Sequence, residues 1–154
     1  GGGIAYNVGE AYYDGSNNLL GYIFDVGDDY IKIANPTPLT SDDEAGLQWC
    51  TSSLSSSLTS ITDGLEMKNK ITSIGITKYP LYAALPSGDW YVPTQSEFEL
   101  MLQNITNGQI DFEYSTFWTS TINSNKIYYY SYGSFELQAC SEYSDCLYVM
   151  KINF

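Results

Sequence analysis

The sequence predicts a single α+β domain in which strands come first, two helices follow and strands return. Short apolar and aromatic runs bounded by turn residues fill residues 4–50 and 117–154. Helical spacing with capping residues occurs between them, at residues 63–74 and 94–102. A length of 154 residues matches one domain, and the sequence contains no evident internal repeat.

The first elements are expected to be strands. Residues 1–18 are assigned to an N-terminal segment, in which Gly1-Gly2-Gly3 is expected to be a linker and residues 4–13 to supply a first strand. Residues 19–26 and 30–34 are separated by Gly-Asp-Asp, so they predict a hairpin. This hairpin opens a domain that spans residues 19–154.

The first helix is predicted over residues 63–74, since Asp63 can cap it and Glu66 follows three residues later. Gly75 is the expected stop. The side chains expected to form its buried stripe are Leu65, Ile71 and Ile74.

The stretch GDWYVPTQSEFELML, residues 88–102, predicts a corner between a strand and the second helix. Thr94 and Glu97 have the spacing of a capping box, and Pro93 keeps the preceding backbone extended. Trp90 is large enough to cover the helix start. The apolar positions of one helical face are Phe98, Met101 and Leu102. None of these side chains is chemically reactive, so the corner is interpreted as scaffold.

The C-terminal part predicts four short strands, at residues 117–121, 126–132, 134–139 and 146–154. Within the second of them, three tyrosines alternate with other residues and therefore share one face: Tyr128, Tyr130 and Tyr132. Tyrosine with serine and asparagine is typical of antibody-like binding surfaces. The same pattern also fits an ordinary tyrosine-rich sheet with aromatic cross-strand pairs, and the two interpretations stay open.

The charge and composition exclude several classes of function. The chain has 18 acidic residues, six lysines, no arginine and no histidine, for a net charge of −12. Such a charge repels phosphate backbones, so we expect no nucleic-acid partner. Without histidine, serine–histidine and cysteine–histidine catalysis is excluded within this chain. There is no run of eighteen apolar residues, so we expect no membrane insertion.

Two acidic clusters are candidate calcium sites because they offer hard oxygen ligands: Asp25 with Asp28 and Asp29, and Asp42 with Asp43 and Glu44. Neither fits the calcium loop pattern, so both are predicted to be solvated turns. No metal or cofactor is expected. A pair of carboxylates for glycoside hydrolysis is kept as an alternative, since such a pair need not be close in sequence.

Three cysteines, at positions 50, 140 and 146, leave two arrangements open: one disulfide with a free thiol, or three unpaired thiols. The sequence slightly favours the unpaired arrangement.

Several motifs occur in the order of a known family. They are LLGYIFDVGDDYIKIA, DGLEMKNKI, DWYVPTQSE, FWTST and the terminal LYVMKI. Together, over residues 19–154, they resemble the bacterial Lcl C-terminal-domain-like family, which is similar to the formylglycine-generating-enzyme branch of the C-type lectin fold. The resemblance implies two helices on a small mixed sheet with neighbouring termini. It also implies that the corner is scaffold and that Trp118 is a core residue.

The chain departs from that pattern in its last strand, where Lys151 is the only base. The calcium-binding motifs of lectins are absent, so calcium-dependent sugar binding is not implied. The catalytic cysteine pair of the oxidases has no clear counterpart, so no oxidase activity is implied.

The tail also resembles the variable proteins of diversity-generating retroelements, which use the same fold. There, adenine-directed mutation of AAC and AAT codons yields residues such as Asn, Tyr, Ser, Cys and Asp, but never Lys, Gln, Glu, Met or Trp. The resemblance implies a fixed framework at Lys126, Glu136, Gln138 and Glu142. It implies that the ligand-binding residues, in a variable region at 118–150, are Asn123, Asn125, Tyr128, Tyr130, Tyr132, Ser134, Cys140, Ser141, Tyr143, Ser144 and Asp145.

These observations predict a non-enzymatic ligand-binding protein, diversified by a retroelement and exposed on a virion or cell surface. The expected partner is a surface protein or glycan of another cell, and oligomers are compatible with the sequence. One alternative is a fixed bacterial surface or pilus-tip adhesin module. The other is a carboxylate-dependent glycoside hydrolase.

Overall fold

The computed structural model describes residues 5–43 and 45–154. The linker expected at Gly1-Gly2-Gly3 and one acid of the second cluster, Glu44, lie outside the described residues. In the described part, no helix combines the length and apolarity needed to cross a bilayer.

The described residues form nine strands and three α-helices. The strands are β1 (Ala11–Tyr13), β2 (Leu19–Val26), β3 (Tyr30–Ala34), β4 (Leu47–Gln48), β5 (Phe117–Asn123), β6 (Lys126–Ser131), β7 (Ser134–Gln138), β8 (Tyr143–Ser144) and β9 (Val149–Asn153). The helices are α1 (Gly64–Ile74), α2 (Pro80–Ala84) and α3 (Gln95–Asn104). The predicted α+β class is confirmed.

The first sheet has the order β1-β2-β3-β9, with antiparallel neighbours. The predicted β2–β3 hairpin is confirmed, and β1 adds residues of the N-terminal segment to the same sheet. β9 pairs with β3, so the ends of the described chain meet. There the ring of Tyr6 stacks on that of Phe154 at 5.2 Å between centroids.

Helix α1 begins where the sequence predicts. Asp63 accepts a hydrogen bond from the Glu66 backbone N–H at 2.9 Å, and Gly75 ends the helix with a φ of 116°. The predicted buried stripe is partly wrong. Ile71 is buried, but Ile74 is 41% exposed and Met67 is buried instead. Ile74 is the last residue of the helix and faces solvent because the chain turns away at Gly75.

Helix α3 has the predicted capping box, since Thr94 accepts from the Glu97 N–H at 3.1 Å and Glu97 accepts from the Thr94 N–H at 2.9 Å. Phe98 and Met101 are fully buried. Trp90 does not cover the helix start as predicted. It packs on isoleucines of the first sheet and against Tyr148, with ring centroids 5.0 Å apart.

Helix α2 is absent from the sequence prediction because five residues are too short for a periodic pattern. Its proline occupies the first turn, where a missing N–H costs nothing, and Leu81 and Tyr82 are buried. Tyr82 packs edge-on against Trp49 of the loop after β4.

The second sheet has the order β5-β6-β7 and is antiparallel throughout. One of its faces meets α3 through Tyr130 and Phe98. On the other face, Trp118 of β5 packs in the core cluster that includes Trp49 and Leu47. Trp118 is fully buried and donates its indole N–H to the Leu47 carbonyl at 2.7 Å. This sheet carries most of the residues predicted to bind a ligand.

Candidate ligand-binding surface

Two tight turns hold the strands of the second sheet together. Ser124 and Asn125 join β5 to β6 with φ values of 52° and 66°. Tyr132 and Gly133 join β6 to β7 with φ values of 45° and 110°. Two-residue turns with positive φ match the twist of antiparallel strands, so each turn sets the strand pairing next to it. The β6–β7 register is regular throughout, whereas the β5–β6 register shifts between Trp118 and Ile122.

Five of the predicted ligand-binding residues have exposed side chains. Four lie on these turns and strand ends, and the fifth lies on β8: Asn123, Asn125, Tyr132 and Ser134, with Tyr143. Tyr132 is 64% exposed and Tyr143 is 56% exposed. Tyr128 and Ser141 are half-buried, and the Tyr128 hydroxyl accepts from the Asn123 amide at 3.0 Å. We call these seven residues the display set.

Four residues of the display set lie at opposite ends of the second sheet, and Tyr143 lies on β8, which pairs with β4 in a separate sheet. Asn123 and Asn125 lie at the β5–β6 turn, whereas Tyr132 and Ser134 lie at the β6–β7 turn. β6 has six residues, so about 20 Å separates the two turns. Contact with both ends requires a partner that extends over about 20 Å, which favours a macromolecule over a small ligand.

Tyr130 is a core residue, so its predicted role in ligand contact is wrong. It is 8% exposed and its ring lies 5.0 Å from that of Phe98 and 5.4 Å from that of Phe135. β6 is the central strand, and both of its faces are packed rather than one. Strand alternation correctly predicts that Tyr130 shares a face of β6 with Tyr128. It does not reveal which tertiary element covers that face.

Cys140 is also buried, and it forms a disulfide with Cys50, whose Cα lies 5.1 Å away. The Cys50 N–H donates to the Cys140 carbonyl at 2.9 Å. The prediction of three unpaired thiols is therefore wrong, as is the expectation that the tail cysteines have no structural role. Cys146 is a free buried thiol, and burial raises its pKa.

Ser144 and Asp145 are each 3% exposed, so their assignment to a ligand surface is wrong. The Ser144 hydroxyl hydrogen-bonds the Thr116 hydroxyl at 2.8 Å and accepts from the Gln138 amide at 2.9 Å. The Asp145 carbonyl accepts from the Trp118 N–H at 2.9 Å. These contacts hold the segment that contains Ser144 and Asp145, which we call the returning chain, against the start of β5.

A buried polar network lies under the other sheet, and the sequence predicted only its capping part. Glu97 accepts from the Tyr91 hydroxyl at 2.6 Å and forms an ion pair with Lys32 at 3.0 Å. Burial and the Glu97 charge raise the pKa of Tyr91. Burial lowers the pKa of Lys32, but the charges of Glu97 and Asp25 outweigh it, so that pKa is raised overall.

This network borders a cavity of about 360 Å³, which is also lined by Asp63 and Thr94. Both carboxylate oxygens of Glu97 are already engaged, by Tyr91 and Lys32 on one side and by the Thr94 N–H on the other. The signal in the sequence was a lysine within the apolar strand YIKIA, which needs a buried partner.

The acidic clusters behave as turns. Asp28 and Asp29 are exposed between β2 and β3, while Asp25 accepts from the Tyr30 hydroxyl at 3.3 Å. Asp42 and Asp43 are exposed, and Asp43 accepts from the Ala45 N–H at 3.1 Å. In residues 5–43 and 45–154, no three acidic or cysteine side chains are grouped to hold a metal ion.

The geometry thus separates the exposed or half-buried display set from a framework of buried tail residues. Comparisons of the chain with protein-family models, with curated proteins and with solved structures found no match.

Proposed function

We propose that this chain is a non-enzymatic ligand-binding module whose display set contacts a macromolecular partner. The observation that carries the proposal is Tyr132, a large aromatic side chain that is 64% exposed on a backbone with a φ of 45°. A bulky residue with positive φ is an outlier that costs folding free energy, so its presence points to a role outside the fold. Exposed tyrosine offers large contact area at low entropic cost.

The fold we propose for this module is the C-type lectin fold, in the Lcl C-terminal-domain-like and formylglycine-generating-enzyme-like superfamily. Three features support it. The terminal strand β9 pairs with the opening hairpin, Thr94 and Glu97 form the corner, and Trp118 is buried beneath β4. A third helix and fully antiparallel sheets depart from the simplest form of the resemblance.

We further propose that a retroelement diversifies the display set. The first position of a two-residue turn such as that of Tyr132 favours asparagine or glycine. Tyrosine is reached from the asparagine codon AAC by one adenine replacement. Position 132 favours asparagine but is occupied by an exposed tyrosine. This supports an asparagine codon at that position in the unmutated template. In the equivalent turn at the other end, Ser124 occupies this first position and Asn125 the second.

The buried tail residues narrow the diversified positions. Replacing Tyr130 opens the core, replacing Cys140 removes the disulfide, and replacing Ser144 breaks two hydrogen bonds. We therefore expect variation at the seven residues of the display set. Tyr130, Cys140, Ser144 and Asp145 join the fixed framework.

The disulfide supports an oxidising location, as expected for a virion or a cell surface. The partner we propose is a surface protein or glycan of another cell, and the net charge of −12 disfavours a nucleic acid in this role. The hydrolase alternative has weak support, because both oxygens of Glu97, the buried carboxylate of the cavity, already serve the ion pair and the helix cap.

The deciding experiment is to sequence the DNA around the gene and search for a non-coding near-copy of codons 118–150. The proposal expects a copy that differs only where it carries adenine, with differences in the display set and none at Tyr130 or Cys140. A complete locus without such a copy contradicts diversification and leaves the fixed adhesin as the leading function. Differences spread over core codons contradict the display set itself.

A further inference from the structure

The edge of the second sheet at β7 is open in the part of the chain that the structure describes. The opposite edge, β5, is bonded to the returning chain through Trp118 and Asp145. In the first sheet, β1 has three residues and an irregular register, and β9 is bridged to Tyr91 where it begins. Short or irregular strands and covered edges discourage added strands, and β7 has none of these protections.

The turn between β6 and β7 determines which backbone N–H and C=O groups of β7 point away from β6. Ser131 and Ser134 flank a two-residue turn, so they form a hydrogen-bonded pair, and such pairs alternate along the hairpin. The N–H and C=O groups of Phe135 and Leu137 therefore point away from β6. Within residues 5–43 and 45–154 these four groups have no hydrogen-bond partner.

The side chains beside this edge favour one kind of partner. Leu137 is 38% exposed and shares its face with the half-buried Phe135, while Glu136 is exposed on the other face. An added strand bonded to Phe135 and Leu137 places one residue directly opposite Glu136, where side chains are closest. Opposite charges at such a position stabilise the pair and like charges destabilise it.

We propose that β7 accepts an added strand from a partner protein, in an extended segment with Lys or Arg opposite Glu136 and apolar residues on both sides of it. This edge adjoins the display set at Ser134, the first residue of β7, but the proposal does not depend on diversification. A second copy of the chain is disfavoured, because antiparallel self-pairing centred on Glu136 sets it against itself. Two molecules of charge −12 also repel each other.

The test uses the folded protein and a blocked peptide, Thr-Thr-Val-Lys-Val-Thr-Thr, with its Lys-to-Glu counterpart. Amide hydrogen exchange and NMR shifts of Phe135 and Leu137 are followed during titration. We expect the lysine peptide to protect both amides from exchange. The glutamate peptide should bind with an affinity at least about threefold lower. Glu136→Lys should reverse this preference, whereas Glu113→Lys, an equal charge change at another exposed acid, should not.

Leu137→Pro provides a second variant, since it removes an outward N–H that no internal bond uses. We expect it to abolish peptide protection while the far-ultraviolet circular dichroism is unchanged. If Leu137→Pro does not fold, the charge reversal at Glu136 alone decides. The proposal is overturned if the peptide shifts other NMR signals but leaves the β7 amides unchanged. It is also overturned if Glu136→Lys still binds the lysine peptide more tightly than the glutamate peptide. Concentration-dependent dimers that protect these amides without peptide also overturn it, in favour of a second copy.

Discussion

Cys140 in the C-terminal tail is bonded to Cys50, which lies 90 residues earlier beside β4. The bond closes a loop that contains all three helices and the whole β5-β6-β7 sheet. The tail that carries Ser141 and Tyr143 is thereby fixed to the core. A display surface held this way presents its side chains with little loss of freedom on binding.

Reduction of this disulfide should destabilise the protein. A loop of this length predicts a loss of roughly 2–5 kcal/mol in the free energy of unfolding. Urea unfolding with and without dithiothreitol measures it. The variant Cys146→Ala, which lacks only the free thiol, should respond to dithiothreitol as the wild type does. A wild-type midpoint that ignores reductant contradicts a structural role for the bond.

Tyr130 and Tyr132 should differ strongly in their response to truncation, although strand alternation predicts one face for both. Tyr130→Ala removes a ring packed on Phe98 and Phe135 and should cost about 3–5 kcal/mol of unfolding free energy. Tyr132→Ala should change the unfolding free energy by less than about 1 kcal/mol, because its side chain is exposed. Chemical denaturation of both variants tests this, and equal losses contradict the assigned burial.

Tyr132→Asn should stabilise the protein by about 0.5–1 kcal/mol, because asparagine tolerates positive φ better than tyrosine. Tyr143→Asn is the matched control. Tyr143 is similarly exposed, at 56%, but lies outside the positive-φ positions. Urea midpoints of the two variants are compared. No gain at position 132, or an equal gain at both positions, contradicts the strain on which the functional proposal rests.

Stability should fall as the pH rises above about 10, partly through Tyr91. Its folded pKa is raised by burial and by Glu97, whereas the unfolded chain titrates near the ordinary value of 10.0. Above that pH the folded state binds more protons than the unfolded state, so the free energy of unfolding decreases. Below it the phenol is neutral in both states and adds no slope.

Tyr91→Phe should therefore make the decline above pH 10 shallower. At pH 7 it should cost about 1–2 kcal/mol through the lost hydrogen bond to Glu97. Thermal unfolding of the wild type and this variant between pH 7 and 11 measures both effects. Tyr132→Phe serves as the exposed-tyrosine control and should keep the wild-type slope. An unchanged slope in Tyr91→Phe contradicts the contribution of this network.

The sequence by itself determined the elements whose signals are local. The β2–β3 hairpin follows from alternating apolar residues around Gly-Asp-Asp, and α3 follows from the Thr94–Glu97 spacing. The tail strands follow from aromatic runs between turns. These features depend on neighbouring residues in the chain, so their signals are present before any tertiary contact forms.

Only the tertiary structure decided which tail residues face solvent. Tyr130 and Tyr132 are both tyrosines and lie two positions apart, so alternation predicts the same face for both. Helix α3 covers Tyr130, however, and leaves Tyr132 exposed. Cys140 meets Cys50, and Lys32 meets Glu97, across long separations in the chain. Burial and pairing of this kind depend on how elements far apart in the chain pack together. A local pattern of residues does not predict which distant elements will meet.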